Sequence, residues 1–394
     1  MAGNTRLSDA PRASPRWPWT LAVAGAVIAI VVTVLAIEGT TTPKTLSSGS
    51  EYRGRIHKDT TTSSSPAILP TSYKWSTPVV AVPPPRSGEY TFTGLSCPSE
   101  NFCVASGAGR VVYVSTDPDG TIPWRAVVLP GDGAGLETIT CPSTRFCVAA
   151  GSDIYVSADP TGGSSAWRPQ GLSNADVIGI SCPTPGLCVA IKGESNMLVS
   201  TDPTGGHRAW KAFNWPIATN AYGIEFGAVS CPSVTLCVAS GTGRVAVSTD
   251  PAGGTSTWKT AVIDPVGGIP GRQFANFVKG ITCVGPNFCV AVDGTGGMII
   301  TTDPTGGPIA WHFSTVEDVQ VWGTPSCPTT SFCGASLDTS NNQTGVVAAV
   351  NPLDGPQAWS PIHIEPRADF IACPNVNRCY LFGSNGTVSA GTGQ

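Results

Sequence analysis

Residues 230–258 read SCPSVTLCVASGTGRVAVSTDPAGGTSTW and combine two cysteines six positions apart, an alternating apolar run, and a Ser-Thr-Asp-Pro turn that leads to a tryptophan. Each of these features recurs along the chain of 394 residues. All fourteen cysteines fall into pairs with the same separation: Cys97/Cys103, Cys141/Cys147, Cys182/Cys188, Cys231/Cys237, Cys283/Cys289, Cys327/Cys333 and Cys373/Cys379. Seven pairs indicate seven repeats of one structural unit.

Each repeat reads as four short β-strands. The first cysteines of the first and last pairs lie 276 positions apart (373 − 97), and six intervals give a mean period of 46 residues. One strand ends at the first cysteine, a second begins at the second cysteine, a third runs into the Asp, and a fourth begins at the Trp. This period and the alternation of apolar, β-branched residues are typical of propeller blades. We therefore predict an all-β fold, a seven-bladed β-propeller at residues 72–394.

The tryptophans predict how the ring closes. Six of them open the fourth strand of a unit, namely Trp124, Trp167, Trp210, Trp258, Trp311 and Trp359. The seventh unit reaches Gln394 before a tryptophan of its own, whereas Trp75 precedes the first unit. We expect the strand around Trp75 to pair with the last strands near residues 387–390. Such closure hides the edge strands that an open stack would expose.

The paired cysteines could bind a metal, act as a redox pair, or form disulfides. A zinc site needs about four convergent ligands, yet each unit offers two cysteines and the propeller holds only His207, His312 and His363. A redox pair normally occurs once, as Cys-x-x-Cys. Cysteines that flank a five-residue hairpin turn can lie at disulfide distance, and disulfides persist outside the cytoplasm. We predict seven disulfides, no metal and no other cofactor.

The turn before the tryptophan has its own signature. It reads STDPDGTIPW, SADPTGGSSAW, STDPTGGHRAW, STDPAGGTSTW and TTDPTGGPIAW, and a weaker form, AVNPLDGPQAW, precedes Trp359. These strings resemble the Asp-box, Ser-x-Asp-x-Gly-x-x-Trp, of the bacterial neuraminidase repeat in sialidase-like, sortilin-like and photosynthesis-assembly propellers. The resemblance covers residues 72–394, although Pro follows the Asp and one or two extra residues precede the Trp.

In that family the Asp-box is a folding element, and the residue types agree with this role. An Asp carboxylate can accept N–H bonds within its own turn, Gly permits a positive φ, and Trp buries a large face between blades. The aspartates predicted to be structural are Asp117, Asp159, Asp202, Asp250 and Asp303.

The N-terminal segment predicts a membrane anchor. Residues 17–37 carry no charge, and at ~1.5 Å per residue a helix of this length crosses a ~30 Å hydrocarbon core. Three arginines against one acid in residues 1–16 predict a cytoplasmic tail and a type II orientation in the plasma membrane. Residues 38–71 are rich in Ser and Thr and predict a disordered stalk. A signal peptide cleaved after Ala36 is the alternative.

Variable loops on a constant frame are where binding sites are usually built. The turns of the cysteine hairpins and the Asp-box turns should leave one face of the disc, and the blade-to-blade loops should leave the other. The loops of the fourth to sixth units are long and aromatic, and the candidate binding residues are Phe213, Trp215, Tyr222, Glu225, Phe226, Arg272, Phe274, Phe277, Phe313 and Trp322. The alternative is that these aromatics pack the loops onto the disc.

Three functions are compatible with the sequence. We favour a binding module at the bacterial cell surface, with a protein or a cell-wall glycan as partner. The first alternative is a sialidase-like glycoside hydrolase, for which the chain offers Arg110, Arg244, Arg272 and Arg367 and the pair Tyr222 and Glu225. Their spacing forms no catalytic motif, so no catalytic residue is predicted. The second alternative is a structural envelope protein. Residues 73–394 hold 22 acids and 15 bases, a net charge of −7 that disfavours nucleic acid.

Overall fold

The computed structural model describes the propeller but not the segments before it. The described residues are 70, 72–82, 92–132, 135–193, 196–214, 227–264, 278–293, 296–316, 320–321, 323–338, 344–363, 368–383 and 386–394. The predicted tail at 1–16, the predicted membrane helix at 17–37 and nearly all of the predicted stalk at 38–71 lie outside them. No helix in the described ranges is long and apolar enough to span a bilayer.

The first four blades follow two short strands that precede them in the chain. Those two strands are β1 (Tyr73–Trp75) and β2 (Val79–Val80). Blade 1 contains β3 (Phe92–Ser99), β4 (Phe102–Gly107), β5 (Val111–Ser115) and β6 (Arg125–Val128). Blade 2 contains β7 (Leu136–Ser143), β8 (Phe146–Gly151), β9 (Ile154–Ser157) and β10 (Trp167–Pro169). Blade 3 contains β11 (Val177–Thr184), β12 (Leu187–Lys192), β13 (Asn196–Ser200) and β14 (Trp210–Asn214). Blade 4 contains β15 (Val229–Ser233), β16 (Leu236–Gly241), β17 (Arg244–Ser248) and β18 (Trp258–Val262).

Three further blades complete the ring. Blade 5 contains β19 (Val278–Cys283), β20 (Cys289–Asp293), β21 (Gly297–Thr301) and β22 (Trp311–Thr315). Blade 6 contains β23 (Gln320–Val321), β24 (Ser326–Thr329), β25 (Phe332–Asp338), β26 (Thr344–Val350) and β27 (Trp359–His363), and both β23 and β24 pair with β25. Blade 7 contains β28 (Phe370–Asn375), β29 (Arg378–Phe382) and β30 (Thr387–Gly393). The sheets are antiparallel throughout, and the predicted seven-bladed, all-β propeller is confirmed.

The ring closes as the tryptophan count predicts. Strand β1 pairs with β30 through Trp75 and Gly391, and β2 pairs Val79 with Val388. Trp75 has the same position in blade 7 that Trp167 has in blade 2. Each tryptophan pairs with a residue of the third strand, and that residue also pairs with the second cysteine of the blade. Blades 1 to 5 have Ser or Thr at the position of Gly391, and blade 6 has alanine. A Cβ on Gly391 would lie 2.7 Å from the Trp75 ring, so only glycine fits here.

Seven hydrophobic clusters hold the blades together, one at each interface. Alternate residues of a second strand point to opposite faces of its blade. Between blades 2 and 3, for example, one face supplies Phe146, Val148 and Ala150, and the other supplies Cys182, Cys188 and Trp210. Each interface follows this rule, so the disulfide and the tryptophan of one blade pack on the preceding blade. Six of the seven tryptophans are only 1–6% exposed.

The turn that precedes each tryptophan is a network of short hydrogen bonds. The hydroxyl of the Ser or Thr two residues before the Asp accepts the Asp backbone N–H, as in Asp159 N to Ser157 Oγ at 3.2 Å. The Asp carboxylate accepts bonds from the turn that follows, as in Thr161 Oγ1 to Asp159 Oδ1 at 2.8 Å. A Cβ on Gly162 would lie 2.6 Å from this carboxylate, and Gly163 has a φ of 81°.

A single turn of 3₁₀-helix completes most of these turns. The 3₁₀-helices of the described part are Ser164–Ala166, His207–Ala209, Thr255–Thr257, Pro308–Ala310, Pro352–Asp354 and Pro356–Ala358. In blades 2 to 6 the last residue of such a helix directly precedes the tryptophan, so the fourth strand of these blades always begins in the same place.

All fourteen cysteines form the seven predicted hairpin disulfides, with Cα–Cα distances of 4.0–4.2 Å. The hairpins are tighter than the expected five-residue turn. In blade 4 the first strand continues past Cys231 to Ser233, which pairs with Leu236, and a bulge places Cys231 against Cys237. Blade 5 is the exception, because Cys283 pairs directly with Cys289 and β19 ends there.

The two cysteines of a pair differ slightly in burial. Six of the first cysteines are buried, at 4–9% exposed, and Cys97 is half-buried. The second cysteines lie on the second strand, between two blades, and are inaccessible: Cys103, Cys147, Cys188, Cys237, Cys289 and Cys333 are 0% exposed and Cys379 is 1% exposed. The second cysteines are therefore core residues of the packing between blades.

We expect removal of one disulfide to loosen one blade without opening the ring. The double variant Cys231→Ser/Cys237→Ser should lose about 2 kcal/mol of unfolding free energy, because the chain-entropy gain from a short loop is small. Urea unfolding followed by tryptophan fluorescence measures the loss. The same change at Cys283 and Cys289 is the matched control. Complete unfolding of either variant in buffer would contradict the view that interblade packing carries most of the stability.

The tyrosines around blade 7 predict an alkaline limit to stability. Burial raises the pKa of Tyr73, of Tyr113 and of Tyr380 above the ordinary tyrosine value. The native state therefore keeps phenol protons that the unfolded chain releases near pH ~10. Stability should be full below that pH and should fall as the pH rises through the raised pKa values.

The variant Tyr73→Phe isolates one of these groups. It should be less stable than the wild type at pH ~8, because it loses the hydrogen bond from the Tyr73 hydroxyl to the Val376 carbonyl. Between pH ~8 and pH ~11 its urea midpoint should fall less than that of the wild type. Equal slopes for the two proteins would show that Tyr73 does not contribute to the alkaline limit.

Candidate functional site

The two faces of the disc differ in what they carry. Because the strands of each blade are antiparallel, the cysteine hairpins and the Asp-Pro turns leave from one face, which we call the turn face. The opposite face, which we call the loop face, carries the blade-to-blade connections. These connections vary in length, from four residues between Thr315 and Gln320 to fifteen between Val262 and Val278. The loop face therefore holds the variable part of the molecule.

A central channel lies between the first strands of the blades. The first strands of all seven blades line a cavity of about 480 Å³, and adjacent first strands approach closely. Glycines permit this approach. A Cβ on Gly94 would lie 3.2 Å from the backbone N of Ile139, and a Cβ on Gly280 would lie 2.6 Å from the Cα of Thr324. The channel is therefore lined mainly by strand edges and small residues.

Serine hydroxyls tie neighbouring first strands together around the channel. The backbone N–H of the first cysteine in a blade donates to the serine that precedes the first cysteine of the previous blade. Among the described residues, the bonds of this kind are Cys141 N to Ser96 Oγ at 3.0 Å, Cys231 N to Ser181 Oγ at 3.0 Å, Cys283 N to Ser230 Oγ at 2.9 Å and Cys373 N to Ser326 Oγ at 2.8 Å. Each serine keeps its own hydrogen to donate. The turn-face end of the channel is therefore rich in hydroxyl groups.

Charged residues stand at the loop-face end of the channel. Four residues before the first cysteine, blade 2 has Glu137, blade 5 has Lys279 and blade 7 has Asp369. Glu137 and Lys279 line the channel. Burial lowers the pKa of Lys279, and the nearby Asp293 carboxylate opposes that shift. Asp293 is 1% exposed, and its Oδ1 accepts the Gly297 N–H at 2.8 Å. These charges could orient a polar group at the channel mouth.

The seam between blades 7 and 1 carries a polar cluster. The sequence Arg378-Cys379-Tyr380 replaces the Phe-Cys-Val or Leu-Cys-Val of blades 1 to 5. The Arg378 guanidinium pairs with the Asp119 carboxylate of blade 1, and the Tyr380 hydroxyl donates to the Glu100 carbonyl at 2.6 Å. Sequence reasoning missed this cluster and the charges of the channel mouth. Two features of the sequence could have indicated them. Arg378 and Tyr380 interrupt an otherwise apolar second strand, and charged residues occur four positions before the first cysteine in blades 2, 5 and 7.

Two of the ten predicted binding residues lie in the described part of the chain. Phe213 belongs to β14 and packs toward blade 4, where a Cβ on Gly254 would lie 3.8 Å from its ring. Phe313 belongs to β22 of blade 5 and is 39% exposed. These outer strands are separated by blade 4. The remaining eight lie outside the described ranges: Trp215, Tyr222, Glu225, Phe226, Arg272, Phe274, Phe277 and Trp322.

Some of the residues that the sequence offers for catalysis are described by the structure, and these lie in different blades. Arg110 follows β4 in blade 1, and Arg244 begins β17 in blade 4. Arg272, Arg367, Tyr222 and Glu225 lie outside the described ranges. Among the residues that the structure places, no group of three His, Cys, Asp or Glu side chains could hold a metal ion.

Comparisons with solved structures find the same architecture. A YCF48 structure described as bound to D1 peptide has a TM-score of 0.57 at 12% identity, over 83% of this chain and 100% of that one. YCF48 from Cyanidioschyzon merolae has a TM-score of 0.55 at 13% identity, over 80% and 98%. The WD40 β-propeller domain of Doa1 has a TM-score of 0.56 at 11% identity, over 82% and 97%. At these identities the likeness shows the fold alone.

The sequence comparisons add a family. No curated protein sequence matches the chain. The family model for the outer membrane protein assembly factor BamB matches residues 90–269 and, in a second overlapping match, residues 194–369. Together the two matches cover more than two thirds of the chain. The chain therefore belongs to the β-propeller family of the outer membrane protein assembly factor BamB.

Proposed function

We propose that this protein is an extracytoplasmic binding module that a single membrane helix holds at the bacterial cell surface. One contrast carries the proposal: seven nearly identical, disulfide-bonded blades support connections of very different length on the loop face. Long variable loops on a rigid frame are a common way to build a recognition surface. The partner class that we favour is protein, with a cell-wall glycan as the alternative.

The peptide complex of a relative in fold supports a protein partner. The YCF48 structure is described as bound to D1 peptide, so a propeller of this architecture can hold a polypeptide segment. The Asp-Pro turns also support kinship with the Asp-box propellers. Their hydroxyl, carboxylate and glycine positions form one repeated network in blades 2 to 5, which is the folding role that the motif implies.

The aromatic loops of the fourth to sixth units are the proposed contact surface. Phe313 supports this assignment, since it is a large apolar residue exposed on the outer strand of blade 5. Strands β14 and β22, which precede the connections that contain Trp215 and Trp322, end on the loop face, where Lys279 also stands. A partner that contacts these loops would also meet the charged mouth of the channel.

A capture experiment tests the binding function. The full-length chain, purified in detergent and immobilised, should retain a specific partner from an extract of its own cells, identified by mass spectrometry. The double variant Trp215→Ala/Trp322→Ala should lose most of that partner while its melting temperature stays within about 2 °C, because removal of surface residues rarely changes stability. Double substitution of the structural residues Trp167 and Trp210 is the control, and it should lower the melting temperature strongly. An equal loss of stability in both variants would assign Trp215 and Trp322 to packing.

The anchoring proposal has a separate test. The disulfides support an oxidising compartment, and the uncharged stretch at 17–37 supports a membrane helix. An alkaline phosphatase fused after Gln394 should be active, and the fusion should resist extraction of membranes by carbonate. A variant lacking residues 17–37 should lose the phosphatase activity. Release of a fragment that begins after Ala36 would instead show a cleaved signal peptide.

A further inference from the structure

The seam between blades 7 and 1 holds a small hollow beside the strand that closes the ring. We call it the seam hollow, and its volume is about 220 Å³. Its walls come from β1 and the residue that follows it, from β29, from β30, and from the turn of blade 1 that contains Asp119. The two ends of the propeller and its first blade therefore meet at this one place.

The hollow exists because a short side chain takes the place of a long one. The residue after the tryptophan is basic in five blades, where it is Arg125, Arg168, Lys211, Lys259 or His312. Arg125 donates to the Thr161 carbonyl, so a long side chain at this position reaches the turn of the following blade. In blade 7 the residue is Ser76, which is too short to do so. Blade 6 also has a serine, Ser360, but no Asp-Pro turn follows in blade 7.

The strand register places several polar side chains of blade 7 on the same face. Lys74 and Ser76 are two positions apart and share a face, and Ser76 extends the pairing of β1 by one residue. Lys74 pairs with Thr392, which in turn pairs with Arg378, and residues directly opposite each other share a face. Arg378 forms its salt bridge with Asp119 of blade 1. This face of blade 7 is therefore the one that looks toward blade 1 and the hollow.

These side chains offer hydrogen-bond donors that the fold does not use. Ser76 Oγ accepts the Ala390 N–H at 2.9 Å, and Thr392 Oγ1 accepts a hydrogen bond from Arg378 Nη1 at 2.7 Å. Each of the two hydroxyl groups keeps its own hydrogen to donate. The Arg378 guanidinium also retains N–H groups beyond those that bond its described partners. The hollow is therefore rich in donors.

The hollow also carries one positive charge in excess. The Asp119 carboxylate pairs with Arg378, and its Oδ1 lies 3.2 Å from the Tyr380 hydroxyl, so both of its oxygens have partners. Lys74 adds a second cation to the lining. It is exposed, and it forms no salt bridge with a carboxylate of the described residues. Two cations thus face one acid that is already paired.

The size of the hollow and its donors indicate the chemical class of a ligand. Sites that enclose a small organic molecule measure ~300–1,000 Å³, so this hollow is suited to a small ion or to one charged group of a larger molecule. A phosphate group presents three strong acceptor oxygens, whereas a carboxylate presents two. Lysine and arginine are common phosphate ligands, and hydroxyl groups add neutral donors. Phosphate therefore matches the set of donors best.

We propose that the seam hollow binds a phosphate group, held by Lys74, Ser76, Thr392 and Arg378 between the closing strand and blade 1. The proposal goes beyond the binding function of the loop face and does not depend on it. Free inorganic phosphate and the phosphodiester of a cell-wall polymer share this chemistry. Because the hollow forms only when β1 closes the ring, a bound phosphate stabilises the closed propeller by mass action.

Calorimetric titration tests the site. The full-length chain in detergent is titrated with inorganic phosphate, at an ionic strength held constant with sodium chloride, and saturable binding is expected. Lys74→Gln should weaken the affinity at least about tenfold, since a lost hydrogen bond between charged groups costs at least that factor. Ser76→Leu should weaken it similarly by filling the hollow, without a change in charge. Phosphate should raise the melting temperature of the wild type and of neither variant.

A matched control separates the site from general electrostatic attraction. Lys211→Gln removes an exposed lysine from the outer strand of blade 3 with the same change in charge, and it should leave the affinity within about twofold. In chloride alone, all three variants should keep the wild-type circular dichroism spectrum and a melting temperature within about 2 °C, because none removes a core residue.

Four results would overturn the proposal: no saturable binding, acetate that binds as tightly as phosphate, equal effects of Lys74→Gln and Lys211→Gln, or wild-type affinity in Ser76→Leu. Dimethyl phosphate distinguishes the two sources of the group. Affinity for dimethyl phosphate equal to that for inorganic phosphate would support a phosphodiester polymer, and binding of inorganic phosphate alone would support the free ion. Failure of the site leaves the capture of a partner by the loop face untouched, because the two experiments use different surfaces.

Discussion

The structure depends on one repeated contact, in which the disulfide and tryptophan of each blade pack against the second strand of the blade before it. Each of the seven interblade clusters contains this set, and a fully buried cysteine, such as Cys147 or Cys333, lies at the centre of most of them. The contact works because strand alternation sends Phe or Leu, Val and Ala to one face and the cysteine to the other. A blade alone would leave both faces exposed, so stability belongs to the ring.

The same contact makes closure a structural requirement. Blade 7 receives its tryptophan from the other end of the chain, and Trp75 packs with Cys373 and Cys379 as the other tryptophans pack with their own cysteines. The seam on the far side of blade 7 departs from the pattern, with Arg378 and Tyr380 in place of apolar residues and Asp119 as their partner. These polar groups satisfy one another across the interface between blades 7 and 1.

In a ring of seven similar blades, the candidate functional surfaces are the segments that differ from the repeat. The long connections of the loop face are one such part, and the charged residues at the channel mouth are another. In each case a local departure from the pattern creates a concave or exposed surface on a rigid support.

The sequence by itself determined the number of blades, the disulfide pairs, the strand order and the closing strand, because all of these follow from spacing repeated seven times. Only the tertiary structure decided the two-residue hairpin turns, the complete burial of the second cysteines and the pairing of Arg378 with Asp119. These features bring together residues from different strands or blades, such as Arg378 and Asp119. Their contact depends on how neighbouring sheets pack, and spacing along one chain does not encode that distance.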